Sequence, residues 1–171
     1  MKLLIASDIH GSAYWCRKLL EVFALEKPEK LILLGDILYH GPRNDLPRDY
    51  APKEVIAMLS AVADRILCVR GNCEAEVDQM VLPFPCMAQY SVLLADGKTF
   101  YLTHGHHAYP DHLPVLPEGA VFLYGHTHVK ADTVRNGVRC LNPGSVSIPK
   151  DGSNSCLIYH DGEFTFRILE G

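Results

Sequence analysis

The chain has 171 residues, 48% hydrophobic and 21% charged, with a formal net charge of −4 at pH 7. That length suits one domain with a sizeable core, spanning residues 1–171, and the composition is that of a folded protein rather than a disordered one. The acidic balance, with Lys and Arg dispersed, speaks against duplex nucleic-acid binding, and Asp8, Lys30, Asp36 and Arg65 interrupt the best apolar runs, so no membrane span is expected.

The first half of the chain alternates. KLLIAS reads as a short buried strand, and it passes straight into SDIHG, whose chemistry-bearing residues argue against a cleaved signal peptide. SAYWCRKLLEVFALEK sets Trp15, Leu19, Leu20, Val22, Phe23 and Leu25 at helical spacing behind Ser12 as N-cap. KLILLG is a second strand, ending at Asp36. The following ILYHGPRNDLPRDYA carries Pro42, Pro47 and mixed charges, and reads as a long surface loop. PKEVIAMLSAVADR then predicts a helix with Pro52 near its start and Val55, Ile56, Leu59 and Val62 on one face, before ILCVRGN forms a third strand. This alternation predicts parallel strands with right-handed crossovers.

In the second half, Asp96-Gly97, Asn136-Gly137 and Asp161-Gly162 each lie between strand-like runs and predict hairpins. YSVLLA pairs with KTFYLTH, DTVR with VRCLN, and SCLIYH with EFTFRIL. HHAYPDHLPVLPEG is a second loop, with room for a helical turn. The predicted fold is α/β in the α+β sense: a two-layer β-sandwich flanked by helices, with mixed strands arranged as an antiparallel half beside a parallel one. The six cysteines form no CxxC pair and no zinc-finger spacing, which reads as reduced thiols in a cytoplasmic protein.

The chemistry lies just after the strands. In an extended segment alternate side chains share a face, so Asp8 and His10 are expected to point one way and Ile9 into the core, with Gly11 allowing a sharp turn. His126 and His128 repeat the spacing behind Gly125. Taken singly, each patch has an ordinary reading: a capping Asp, or turns at Gly35-Asp36 and Gly71-Asn72. The signal is their order in one chain: strand-DxHG, strand-GD, strand-GN, strand-H, strand-GHxH. Asp8, His10, Asp36, Asn72, His104, His126 and His128 make an oxygen and nitrogen set without thiolates, which suits divalent Mn²⁺, Fe²⁺, Zn²⁺, Ni²⁺ or Mg²⁺ better than a closed structural zinc site.

This ordered set resembles the calcineurin-like metallophosphoesterase family over nearly the whole chain. HGPRNDLP, VRGNCEAEVDQM, LTHGH, YGHTH and NPGSVSIPK are most similar to its small bacterial phosphodiesterases of the YfcE type. The resemblance implies a β-sandwich with two metals at the strand ends, Mn²⁺ foremost. Asp8, His10 and His128 would hold the first, Asn72, His104 and His126 the second, and Asp36 would bridge them. It also implies a phosphoric diester hydrolase that works by in-line attack of a metal-bridging hydroxide on a small phosphodiester, with Asn72 donating to a phosphate oxygen. Many members carry GNHE or GNHD where this chain has Gly71-Asn72-Cys73-Glu74. A thiol has one weak donor proton and no cationic form, so Cys73 as a catalytic residue favours diesters or activated leaving groups over monoesters.

Among the other residues, His106 reads as lying near the ligands, and His107 and His112 as solvated. No role is expected for His160. His40 and Arg43 either reach the substrate phosphate or belong to a surface loop. A phosphomonoesterase or protein phosphatase on the same site, and a non-catalytic scaffold on the same fold, are the alternative functions. Self-association through exposed edge strands or the HGPRN loop is left open.

Overall fold

The structure, a computed structural model, describes residues 1–171. Strands β1 (Lys2–Ala6), β2 (Lys30–Leu33) and β3 (Ile66–Cys68) run parallel, connected through helices α1 (Ala13–Glu26) and α2 (Pro52–Ser60), and a short helix α3 (Glu76–Val81) follows. Next come β4 (Tyr90–Ala95), β5 (Lys98–Thr103), β6 (Val121–Leu123), β7 (Lys130–Arg135), β8 (Val138–Pro143), β9 (Ser155–His160) and β10 (Glu163–Ile168). They assemble into two five-stranded sheets with orders β10-β9-β1-β2-β3 and β4-β5-β6-β8-β7.

The burial pattern explains the sequence pattern. One face of the first sheet, with Leu4, Ala6, Leu31 and Leu33, packs beneath α1 and α2 through Cys16, Leu19, Phe23, Val55 and Leu59. Its other face presents Leu3, Ile5, Ile32, Leu157 and Tyr159 to Phe100, Leu102, Val121, Leu123 and Leu141 of the second sheet. Strands covered on both faces need apolar side chains at successive positions, hence the unbroken runs KLLIA and KLIL. Each such buried Leu or Ile contributes ~1.5–3 kcal/mol. A smaller cluster of Phe122, Tyr124 and Cys140 lies on the outer side of the second sheet, covered by Leu113 and Leu116 of the loop after β5.

All three predicted hairpins form, in the registers their turns require. Ser12 caps α1 as expected, its Oγ accepting from the Trp15 N–H at 3.3 Å. Three expectations are corrected. The β9–β10 hairpin does not complete an antiparallel half: β9 pairs antiparallel with β1, while β5, β6 and β8 are parallel, so both sheets are mixed. Turn chemistry fixes which strands form a hairpin, but not which sheet receives it. The second helix stops at Ser60, whose hydroxyl donates back to the Ile56 carbonyl at 2.7 Å, and Ala63–Arg65 is a separate 3₁₀ turn. The loop after β5 has no helical turn, only a bridge between Tyr109 and His112. The short α3 was not anticipated, because its Val77, Met80 and Val81 are exposed and draw no buried stripe.

Candidate metal centre

Every residue in the expected ligand set lies just beyond the C-terminal end of a strand: Asp8 and His10 after β1, Asp36 after β2, Asn72 after β3, His104 after β5, and His126 and His128 after β6. The parallel pairings within each sheet bring those ends to one edge of the sandwich. The local conformation differs from the extended one expected. Asp8, His10, Asp36, His126 and His128 all have positive φ, between 49° and 67°. Asp8 and His10 converge because two left-handed residues flank Ile9, whose side chain does enter the core. The left-handed region costs a non-glycine residue ~1–2 kcal/mol. A ladder between loops offsets it: the N–H groups of Asp8, His10 and Gly11 donate to the carbonyls of Gly35, Asp36 and Ile37 at 3.1, 2.9 and 2.8 Å.

The side chains form one connected cluster. His128 Nε2 lies 3.2 Å and His10 Nε2 3.5 Å from Asp8 Oδ1, and the two imidazole nitrogens are 3.4 Å apart. Asp36 Oδ2 is 3.7 Å from His10 Nε2 and 3.4 Å from His104 Nε2. His104 Nε2 in turn lies 3.0 Å from Asn72 Oδ1 and 3.2 Å from His126 Nδ1. The other ring nitrogens of three histidines are committed elsewhere: Nδ1 of His10, His104 and His128 meets the carbonyls of Tyr39, Leu34 and Ile148 at 2.8, 2.7 and 2.7 Å. A carbonyl only accepts, so each Nδ1 carries a proton and each Nε2 faces the cluster, where it supplies a lone pair once the ring is neutral. Asp8 Oδ1, fully buried among them, has no hydrogen-bond partner. An orphaned carboxylate oxygen ringed by imidazole lone pairs is the donor set a divalent cation requires, so these residues fit a metal.

Supporting residues absent from the sequence reading hold the loops. Glu74, almost fully buried, accepts the N–H groups of Asp36 and Ile37 at 2.9 and 2.7 Å, together with that of Gly71. It thereby ties the β2 loop to the β3 loop. Asn142, at the end of β8, donates to the Gly125 carbonyl at 2.8 Å and to Thr127 Oγ1 at 3.0 Å, fixing the GHTH loop. Ser145 and Ser147 hydroxyls donate to the Asp8 carbonyl at 2.9 and 3.2 Å. The NPGSVS run could have pointed to the last three, and the acidic position of GNCE to Glu74, although the backbone groups that Glu74 holds are distant in sequence.

A polar cleft of about 440 Å³ opens over the cluster, with Arg43, Asn72, Cys73 and Lys150 among its lining residues. Arg43 thus reaches the site. His40 does not: its ring packs edge-on against Tyr39 and Tyr50, with centroids 4.7 and 5.2 Å away. His106 packs edge-on against His104 at 5.3 Å, as expected of a neighbour of the ligands. His160 lies at the far end of β9, away from the cleft. Cys73 stands at the mouth, its N–H donating to Asp36 Oδ1 at 2.8 Å and its Sγ receiving Asn72 Nδ2 at 3.3 Å.

Electrostatics follow the contacts. Burial opposes ionisation of Asp8 and Asp36, yet the close imidazoles, His10 and His128 beside Asp8 and His104 beside Asp36, hold both carboxyls below the usual range. Burial likewise opposes charge on His104, but its hydrogen bond to Asp36 and the fields of Asp8 and Asp36 raise it to about 9. His126, desolvated and facing His104, is lowered. Burial and the neighbouring carboxylates Asp36 and Glu74 push the Cys73 thiol well up, so it stays protonated.

The profile of the calcineurin-like phosphoesterase superfamily domain matches residues 1–163. The chain belongs to that superfamily. Within it, phosphodiesterase YfcE of Escherichia coli K12 is 48% identical over 153 residues, covering 90% of this chain and 83% of that protein. The solved structure of YfcE, described as a phosphoesterase from E. coli, superposes with a TM-score of 0.93 at 41% identity, covering 99% of this chain and 100% of that one. Vacuolar Protein Sorting 29 from Cryptosporidium parvum shares the fold, with a TM-score of 0.62 at 18% identity over 98% of this chain and 95% of its own. Membership of the calcineurin-like superfamily implies divalent metal ions, and three groups of ligand atoms lying within 4.8 Å of one another can hold them: Asp8, His10 and His128; Asp8, Asp36 and His104; His10, Asp36 and Cys73. No helix is long and apolar enough to cross a membrane.

Proposed function

We propose that the chain is a metal-dependent phosphodiesterase of the cytoplasm that holds two divalent cations, Mn²⁺ foremost, and acts on a small phosphodiester. One observation carries the reading: Asp36 Oδ2 lies 3.7 Å from His10 Nε2 on one side and 3.4 Å from His104 Nε2 on the other. A single carboxylate oxygen thus faces two sets of donors. Asp8, His10 and His128 form one, Asn72, His104 and His126 the other, and Asp36 serves both. When bound, such cations acidify a water and offset negative charge on phosphate oxygens. The chain's own residues do the rest. Arg43 and Lys150 supply positive charge at the cleft where the phosphate enters. Asn72 presents Oδ1 inward and keeps Nδ2 outward, beside Cys73, where it can donate to a phosphate oxygen. The neutral Cys73 thiol offers little help to a poor leaving group, which favours diesters over dianionic monoesters. The relative at 48% identity, a phosphodiesterase, supports the same class. Six free cysteines support a reducing compartment.

The test is hydrolysis of bis(p-nitrophenyl) phosphate beside p-nitrophenyl phosphate, with chelator and with added Mn²⁺. Diester cleavage that needs Mn²⁺ and is lost in Asp36→Ala is the expected result. Cleavage that survives the chelator or the substitution would remove the basis of the proposal.

A further inference from the structure

The cleft over the cluster has two neighbours, and they come from different sheets. On the first-sheet side a cavity of about 370 Å³ shares Cys73 with it and is walled by Leu38, Tyr39, Ile56, Val77 and Val81. On the second-sheet side a cavity of about 510 Å³ shares His126 and Thr127 and is walled by His106, Tyr109, Tyr124, Thr133 and Arg135. Their linings differ in what they offer a ligand besides apolar surface. The first is almost entirely apolar, and α3 leaves Val77 57% and Val81 44% exposed along it with no part of the chain covering them. In the second, apolar surface is interrupted by the hydrogen-bonding side chains of Tyr109, Asp111, Thr127, Thr133 and Arg135. The cleft between them is polar, with the cations Arg43 and Lys150 on its lining.

A phosphate held over the cluster lies in the cleft between the two cavities, and the single substituent of a monoester reaches only one of them. A diester carries two substituents that diverge from phosphorus. Apolar surface is favoured against apolar surface, and a hydroxylated group loses least where it regains its hydrogen bonds. We propose that the substrate is an asymmetric phosphodiester, with an apolar substituent seated against Tyr39, Ile56 and Val77 and a hydroxylated, hydrogen-bonding substituent seated among His106, Thr133 and Arg135. This rests on the phosphodiesterase reading and adds the identity of the two sides. Exposed apolar side chains beside a polar catalytic cleft are thereby given an occupant.

The experiment compares kcat/KM, with Mn²⁺ supplied, for the p-nitrophenyl diesters of thymidine 5′-phosphate and of methyl phosphate. Both carry the ring as apolar substituent, and only the first carries a hydroxylated partner. The thymidine ester is expected to be favoured by about tenfold, the ratio that one or two well-made hydrogen bonds supply. Arg135→Ala and the milder Thr133→Val bring that ratio toward one, while Val77→Asp raises KM for both esters and leaves the ratio in place. Circular dichroism and bound Mn²⁺ establish that each variant is folded and loaded. Equal constants for the two esters in the parent protein, a ratio unmoved by both Arg135→Ala and Thr133→Val, or a KM indifferent to Val77→Asp overturns the proposal. Failure to cleave bis(p-nitrophenyl) phosphate marks instead the failure of the phosphodiesterase reading, and the asymmetric substrate falls with it.

Discussion

Cys73 lines the mouth of the cleft, and its thiol is held neutral by burial and by Asp36 and Glu74. Replacing it by histidine introduces a group that carries a proton near neutral pH and can deliver it. Cys73→His is therefore expected to raise turnover of p-nitrophenyl phosphate relative to bis(p-nitrophenyl) phosphate by about tenfold, less than the ~10²–10⁴ of full general acid catalysis because p-nitrophenolate leaves readily. An unchanged ratio would mean that Cys73 only fills space. At this scale the residues that gather into the cluster were legible because their types and order are specific. The backbone conformation at Asp8, His10, Asp36, His126 and His128 was not, because short polar patches after a strand look the same whether the chain continues extended or turns left-handed. The partners of Glu74 and Asn142 could not be read for a related reason: what these side chains hold is the backbone of residues far away in sequence.

At the scale of elements, the site is a set of strand-end loops locked to one another. Gly125 lies where the loop after β6 crosses the loop after β1, and a Cβ there would collide with the Ser7 side chain and come within 3.0 Å of Asp8 Oδ2. The neighbouring His126 N–H donates to that same oxygen at 3.1 Å. Gly125→Ala must therefore push the two loops apart, at ~1–3 kcal/mol for an overpacked site. It is expected to lower the melting temperature and the Mn²⁺ retained after gel filtration together. Full retention of metal with normal stability would show that the loops can separate without disturbing the cluster. The hairpins on which the second sheet is built could be read from Asp-Gly and Asn-Gly pairs alone, since that chemistry is local. The attachment of β9 to β1 could not, since it depends on which edge the completed first sheet leaves open.

For the molecule as a whole, the cluster makes stability depend on pH and metal jointly. His104 is raised to about 9 in the folded, metal-free protein, so its contribution is full below its unfolded value of about 6.5 and is lost as pH rises through about 9. Asp8 and Asp36 are lowered, so theirs is present above the unfolded carboxylate value of about 4 and lost as pH falls through the folded one. His126 and His106 are lowered, so their contribution is lost as pH falls below about 6.5, and the metal-free protein is expected to be most stable near pH 6.5. Divalent cations take over the role of the His104 proton, so Mn²⁺ should raise the melting temperature most on the alkaline side and move the optimum upward. Melting profiles against pH with chelator and with Mn²⁺ check this; two parallel curves would contradict it.

The three hairpin turns, Asp96-Gly97, Asn136-Gly137 and Asp161-Gly162, all lie at the end of the sandwich opposite the strand termini that carry the cluster, because β5 and β9 each run between that end and the cleft, and β7 leads away from His128 toward it. Around Gly97 and Gly162 there is open space. These turns are natural anchor points: a tag, a fluorophore or a solid support joined there would hold the molecule by its back and leave the cleft facing the solution.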